Sequence, residues 1–288
     1  MVAVLEERTS RAAIWCQRFS VFLIPYFTIV ILLYRFKKIE TIQMFALGGI
    51  GLILSVVSIV LAIRAAVELW TRGYRGGSKV IRGSIISLLI LTPFVYFVFL
   101  ALQFPLANDI STDSFDPPAY VSAAEFRMLR EKEGMNPVIQ YTEEYARQIV
   151  LAYPKLQPRR YPASPERVLE AVRSIIQENE WPVTGTFAVP VQPADVTTNG
   201  TENNQAEEAL EDNESVQQDM YIEFLERTLV FGFENDVVVR IVSEDQNTLV
   251  DVRASSRWGR HDFGYNAKLI ESFLMQLDAA LLGIAGEG

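Results

Sequence analysis

Between Phe19 and Gln103 three long apolar runs follow one another, and the remaining chain to Gly288 is polar and acidic. The runs are Phe19–Tyr34, Met44–Ile63 and Ser84–Phe104, and none contains Asp, Glu, Lys or Arg. A helix that crosses a bilayer needs about 20 mostly apolar residues, because the hydrocarbon core is roughly 30 Å thick and each residue rises 1.5 Å. The second and third runs meet this length. The first is short and contains Pro25, so it must borrow flanking residues such as Cys16 and Gln17. Its successor "RFKK" is no small-residue cleavage site, which argues against a secretory signal peptide. The reading is a membrane anchor over residues 1–106, with transmembrane helices at about 17–36, 43–66 and 84–104, and a soluble domain over 107–288.

Lysine and arginine in the short flanking segments orient the anchor. The N-terminal tail carries Arg8, Arg11 and Arg18, and the first loop Arg35, Lys37 and Lys38. The second loop carries Arg64, Arg72, Arg75, Lys79 and Arg82, and no further basic residue appears until Arg127. With the N-terminus inside, eight of these cations are cytoplasmic and three are not; the reverse arrangement inverts the ratio. The expectation is a cytoplasmic N-terminus and a C-terminal domain in the periplasm, anchored to the inner membrane. Gly51, Ser55, Ser58 and Ala62 fall on one face of the second helix. Small residues let helices approach closely in lipid, so this stripe is expected to pack inside the three-helix unit or against a second copy. None of the three runs places an ionisable group mid-membrane, against the pattern of pumps and transporters.

Charge is divided between the two parts. Residues 1–103 hold 11 basic and 4 acidic side chains, a net of +7; residues 104–288 hold 15 and 31, a net of −16. An acidic domain is repelled by phosphate backbones, which argues against nucleic acid as a partner. Cys16, the single cysteine, precedes the first apolar run, so the domain has no disulfide or thiolate site. With His261 as the single histidine, a histidine-rich metal site is excluded, and no motif calls for a cofactor.

The soluble part reads as α+β. Leu129–Val150 is helical in part, broken near Asn136-Pro137. Ser164-Pro165-Glu166 is a helix start: hydroxyl cap, proline at the first helical position, acid in the first turn. Val168, Leu169, Val172, Ile175 and Ile176 form its apolar face, and Trp181-Pro182 ends it. Four strands are expected at Val183–Val191, Tyr221–Phe233, Val237–Val242 and Thr248–Ser255, the last three joined as hairpins. Pro193–Asp219 is acidic, rich in Asn and Gln, and short of core residues, and is expected to be a disordered insertion. A final amphipathic helix carries Ile270, Phe273, Leu274, Leu277 and Leu281. A four-stranded antiparallel sheet with helices on one face follows.

Several segments together resemble one bacterial family. They are "NDISTD" at Asn108–Asp113, Asp116-Pro117-Pro118, Tyr153-Pro154, "SPERVLEAV", "FGFENDVVVRI" and "DVRASSRWGRHDFGYNAKLIESF" at Asp251–Phe273. The pattern is similar to the domain of unknown function 1499 over roughly Ala107–Leu282, minus the acidic insertion. The family carries no established activity. The resemblance implies a bacterial envelope setting, and that the first and last segments belong together.

Polar chemistry is densest in Asp251–Asn266. Arg253, Arg257 and Arg260 lie there with Ser255, Ser256, Asp262 and Asn266, just before a helix start. Arginines near a helix N-terminus suit an anion, since unpaired N–H groups and the helix dipole point there. One reading is a pocket for a carboxylate, phosphate or sulfate. The other is a staple, in which these arginines pair with Asp109, Asp113 and Asp116. Asp251 beside Arg240 reads as a cross-strand ion pair, and Asp236 with Asp251 as a weaker candidate for paired carboxylates. A Ser256, His261, Asp262 set is disfavoured as a nucleophilic triad, because adjacent His and Asp orient each other poorly.

The expectation is therefore an inner-membrane envelope protein with a periplasmic binding or interaction domain. Its partners would be the bilayer and either other envelope proteins or a small anionic ligand. The alternative is an enzyme acting on a small anionic envelope metabolite held by the arginines.

Overall fold

The three apolar runs form α1 (Arg11–Arg35), α2 (Thr41–Arg72) and α3 (Gly77–Gln103) in a computed structural model that describes residues 8–190 and 218–282. Each is long and apolar enough to cross a membrane. The first solves its length problem by starting early: Ser10 caps it, its side chain accepting from the Ala13 amide, so 25 residues span about 38 Å. Pro25 and Pro93 lie inside α1 and α3. Residues Thr228–Gly232 group with this helical unit, and the rest of the chain from Pro105 forms the second unit.

The helical unit is built inside out relative to a water-soluble bundle. Most of its buried positions are small or hydroxylated, among them Ala13, Cys16, Ser20, Gly51, Ser55, Ser58, Ala62, Ala65, Gly83 and Ser87. Its exposed positions are large and apolar, among them Ile53, Leu89 and Phe99. That pattern suits a lipid solvent, where close packing and interhelical hydrogen bonds hold helices together. Ser20 of α1 supplies the polar centre. Its Oγ meets Ser58 Oγ at 2.7 Å and Ser87 Oγ at 2.8 Å, and its one O–H lies within reach of the Cys16 and Gly83 carbonyls, both at 2.8 Å. Gly83 is needed for this approach: a Cβ there would lie 2.6 Å from Cys16 Sγ and 3.1 Å from the Gln17 amide nitrogen. The Gly51–Ala62 stripe thus faces inward. At one end the Ser10 amide donates to Arg75 O and the Arg75 amide to Arg8 O, so the N-terminal tail and the second loop share that end. The three helices mark a membrane protein.

The second unit is an antiparallel sheet with helices. After β1 (Asp109–Ser111) come α4 (Ala123–Lys132), α5 (Glu143–Ala152), β2 (Arg159–Tyr161), α6 (Pro165–Glu178), β3 (Val183–Pro190), β4 (Gln218–Arg227), β5 (Glu234–Ser243), β6 (Thr248–Ser256) and α7 (Tyr265–Leu282). The sheet order is β1-β6-β5-β4-β3, with β2 also on β6. The four expected strands are present, though the second ends at Arg227 rather than Phe233, and Glu234–Asp236 begin β5 instead of forming the turn; the short β1 and β2 extend the sheet to six by sharing the outer edge of β6. The single partial helix expected within Leu129–Val150 is two helices, parted by Gly134 in a left-handed conformation and by Asn136-Pro137. Most of the expected insertion lies outside the described residues, but its last two, Gln218 and Asp219, are the first residues of β4.

Strand alternation sorts the side chains. Ile222 and Phe224, Val237, Val239 and Ile241, and Val250, Val252 and Ala254 face α6 and α7. There they pack against Val168, Val172, Ile175 and Ile176, and against Ile270, Phe273, Leu274 and Leu277. Trp181 closes this core, stacked on Phe224 with ring centroids 5.0 Å apart. Ser164 caps α6 through the Arg167 amide, as its sequence signature requires.

Candidate functional site

The second face of the sheet is charged, yet buried. It carries Glu223 from β4, Asp236 and Arg240 from β5, and Asp251, Arg253 and Ser255 from β6. The segment between β1 and α5 covers it. Burying charge costs several kcal/mol per ion unless partners and hydrogen bonds compensate. The cover supplies them.

Arg253 lies at the centre, 4% exposed, against Asp109, which is fully buried. Its Nε donates to Asp109 Oδ1 at 2.8 Å and its Nη2 to Oδ2 at 2.9 Å, a two-pronged fork. Two further N–H groups donate to the Pro118 and Ile139 carbonyls, at 3.1 and 2.7 Å. The guanidinium lies over the rings of Tyr120 and Tyr141, 5.3 and 5.0 Å from their centroids. Burial pulls its pKa down, but the Asp109 carboxylate and the fork outweigh this and the net direction is up.

Two neighbouring arginines converge on Asp236. Arg257 makes a second fork, Nε to Oδ2 and Nη2 to Oδ1, both 2.8 Å, and its Nη1 donates to Glu234 Oε2 at 2.7 Å. Arg130 of α4 donates to Asp236 Oδ2 at 2.8 Å and to Ser255 Oγ at 3.1 Å. Arg240 donates through Nε and Nη2 to Asp251 Oδ2, at 3.0 and 2.8 Å, and through Nη1 to Asp116 Oδ2 at 2.7 Å. Burial raises the Asp251 pKa even so, because Arg240 only partly offsets the lost hydration. Glu223 accepts from the Val121 and Ser122 amides and the Ser122 hydroxyl. Tyr120 Oη donates to Asp236 O at 2.9 Å, pinning the cover to the sheet.

A second polar cluster lies on the helix-facing side, at the end of the sheet near α7. Glu226, Asn235 and Ser256 form one cross-strand row. Asn235 Nδ2 and Tyr265 Oη donate to the Glu226 carboxylate, each at 2.7 Å. Ser256 Oγ donates to Asn235 Oδ1 at 2.7 Å and accepts from Asn266 Nδ2 at 3.0 Å; Asn266 also reaches Asn108 O. Burial pushes the Glu226 pKa up, opposed by the Asn235 and Tyr265 hydrogen bonds.

The α7 N-terminus holds an anion that belongs to the chain. Asp262 Oδ1 accepts from the Gly264 amide at 2.9 Å, and Oδ2 from the Asn266 amide at 3.0 Å. The position that the anion-pocket reading gave to an external carboxylate or phosphate is taken by a side chain of the chain itself. Burial still moves the Asp262 pKa up.

Of the residues singled out in the sequence, Arg253, Ser255, Ser256, Arg257, Asp262 and Asn266 are all buried and engaged by partners within the domain. Arg260 differs: it is exposed, and no ion pair involves it among the described residues. Asp109 pairs with Arg253 and Asp116 with Arg240. Asp113 does not meet Arg257; its Oδ1 accepts from the Phe115 and Asp116 amides in a turn of the cover. Ser256, His261 and Asp262 are engaged separately, His261 Nδ1 accepting from the Phe263 amide. Asp236 and Asp251 are each held by arginine rather than by one another. Sequence reasoning missed Arg130, Glu223, Tyr120 and Tyr141. The usable signal was alternation: in Asp236-Val237-Val238-Val239-Arg240 the charged positions share one face of a central strand.

A family model described as protein of unknown function (DUF1499) matches residues 109–277. The chain belongs to the DUF1499 family. Both forks, the cover and the Asp262 cap lie within the DUF1499 segment, so the closed lattice is internal to the family domain. The helical unit precedes it. No curated protein and no solved structure matches the chain.

Proposed function

We propose that this DUF1499 protein is a bacterial inner-membrane protein whose sheet domain stands in the periplasm as a binding or interaction module, without catalysis. The observation that carries the reading is the closed charge lattice. Arg253 and Arg257 are engaged by Asp109, Asp236 and Glu234, and Asp262 occupies the α7 N-terminus. Arg253, through the Pro118 and Ile139 carbonyls, and Arg130, through Asp236, hold the cover to the sheet, and an incoming anion would have to displace an internal carboxylate from Arg253 or Arg257. The cation asymmetry, eight against three, supports the periplasmic placement. The acidic surface suits partners that are neutral or basic.

The alternative, an enzyme or receptor for a small anionic metabolite, rests on Arg260, the exposed cation of the three. Thermal unfolding of the full chain in nanodiscs, titrated with phosphate, sulfate and small dicarboxylates, separates the two. The interaction reading expects no shift beyond that of an Arg260→Ala variant. A saturable stabilisation lost in Arg260→Ala would replace it with the anion-binding reading.

A further inference from the structure

At one end of the helical unit, α2 and α3 leave an apolar groove between them. Ala66, Leu69 and Trp70 of α2 form one wall and Gly77, Val80 and Ile81 of α3 the other, around about 340 Å³ of space. The spacing i, i+3, i+4 on each helix sets its three residues on one face. Gly77 contributes room: a Cβ there would first meet Leu69 Cδ2, at 3.6 Å. Trp70 is 91% exposed on the groove's margin. Tryptophan favours the membrane boundary, where an apolar ring meets polar headgroups. The groove therefore begins where headgroups give way to acyl chains.

The same end is ringed by cations. Arg72, Arg75, Lys79 and Arg82 each lie within two residues of a groove-lining residue, and the three arginines are exposed. The Arg75 amide donates to Arg8 O and the Ser10 amide to Arg75 O, which brings Arg8 and Arg11 of the tail to this end as well. From Thr41 to Gln103 the chain has one carboxylate, Glu68. It accepts from Ser10 Oγ at 2.8 Å and from Arg64 Nε at 3.2 Å. Charge complementarity says what fills the groove. A zwitterionic lipid satisfies its apolar walls and leaves the cationic surplus in place, whereas a lipid of net negative charge satisfies both. Basic pockets between membrane helices hold anionic headgroups in this way.

We propose that the α2–α3 groove seats an anionic phospholipid, with the upper part of one acyl chain between Trp70 and Ile81 and the phosphate among Arg72, Arg75 and Lys79. Held there, the lipid would fill the gap between the two helices and offset the mutual repulsion of the arginines.

The test uses full-length chain in phosphatidylcholine vesicles. Trace phosphatidylglycerol or phosphatidylcholine, spin-labelled near the top of the acyl chain, reports the fraction of label immobilised by the protein. The proposal expects phosphatidylglycerol to be immobilised with several-fold preference over phosphatidylcholine. Equal immobilisation overturns it. Arg72→Gln with Arg75→Gln is expected to abolish the preference, and Arg35→Gln, Lys37→Gln and Lys38→Gln together, in the other loop, to leave it intact; the reverse result overturns the placement. Ala66→Phe, at an exposed position, and Gly77→Leu each fill the groove without altering charge, one from either wall. Loss of the preference in either variant, with helicity unchanged, supports a seated lipid. A preference that survives both shows diffuse attraction to the cations and overturns the groove.

Discussion

Breaking the fork between Asp109 and Arg253 isolates what the closed lattice contributes. Asp109→Asn keeps the shape and removes the charge opposite Arg253. The arginine retains the Pro118 and Ile139 carbonyls and two tyrosine faces, so the loss falls near the lower end for a broken buried pair, about 3 kcal/mol. Arg253→Gln is harsher. It leaves a fully buried Asp109 with the Tyr141 hydroxyl, 3.1 Å away, and a cost near about 5 kcal/mol. The double variant strands no charge. Its cost stays near that of the worse single, so the coupling approaches about 3 kcal/mol, the upper end for neighbours in one network. At about 2–4 °C per kcal/mol for a domain of this size, Asp109→Asn lowers Tm by about 6–12 °C and Arg253→Gln by about 10–20 °C. Pulse proteolysis across a urea series on full-length protein reads the domain's stability without interference from the helices. Costs that add to within about 0.5 kcal/mol would refute the reasoning, because independent sites behave that way.

Other predictions rest on separate parts of the molecule. Glu226 is a carboxylate whose folded pKa lies above its unfolded one, so its contribution is full below the ordinary glutamate range and is lost as pH rises through the folded value. Glu226→Gln is therefore expected to flatten the decline of Tm between acidic and neutral pH, and an unaltered profile would remove Glu226 as its cause. In the helical unit, Gly83→Ala will loosen the packing of α1 on α3, while Gly48→Ala, with nothing within 4 Å of the new methyl, will be neutral; thermal unfolding in lipid compares them. Ser20→Ala removes the polar centre and is expected to cost about 1–2 kcal/mol, toward the upper end for interhelical hydrogen bonds in membranes, read by unfolding in mixed micelles.

What was legible in the sequence follows the strength of the local signal. Charge-free runs, the Ser164-Pro165-Glu166 start and the β-branched stretches of β5 and β6 each carry a period or a cap, and each formed its element. The strands β1 and β2 were illegible because three residues hold no period; they exist because β6 offers an edge. The extent of β4 was misjudged because Gln218 and Asp219 are polar, which composition reads as loop although they pair with β3. The arginine cluster was visible, but its partners were not. Asp236 lies 21 residues before Arg257 in sequence, and Arg130 lies 106 residues before Asp236, on a short helix. Alternation in β5 reveals a charged second face, but not that the segment between β1 and α5 covers it.

The sheet domain is proposed to stand across the membrane from the cytoplasm. Alkaline phosphatase, which matures only in the oxidising periplasm, tests it directly when fused to this chain in a Gram-negative host. Fusion after Gly288 is predicted to be active and fusion at Gly77, in the basic second loop, inactive. Activity at Gly77 with silence at Gly288 would contradict the orientation and with it the periplasmic role.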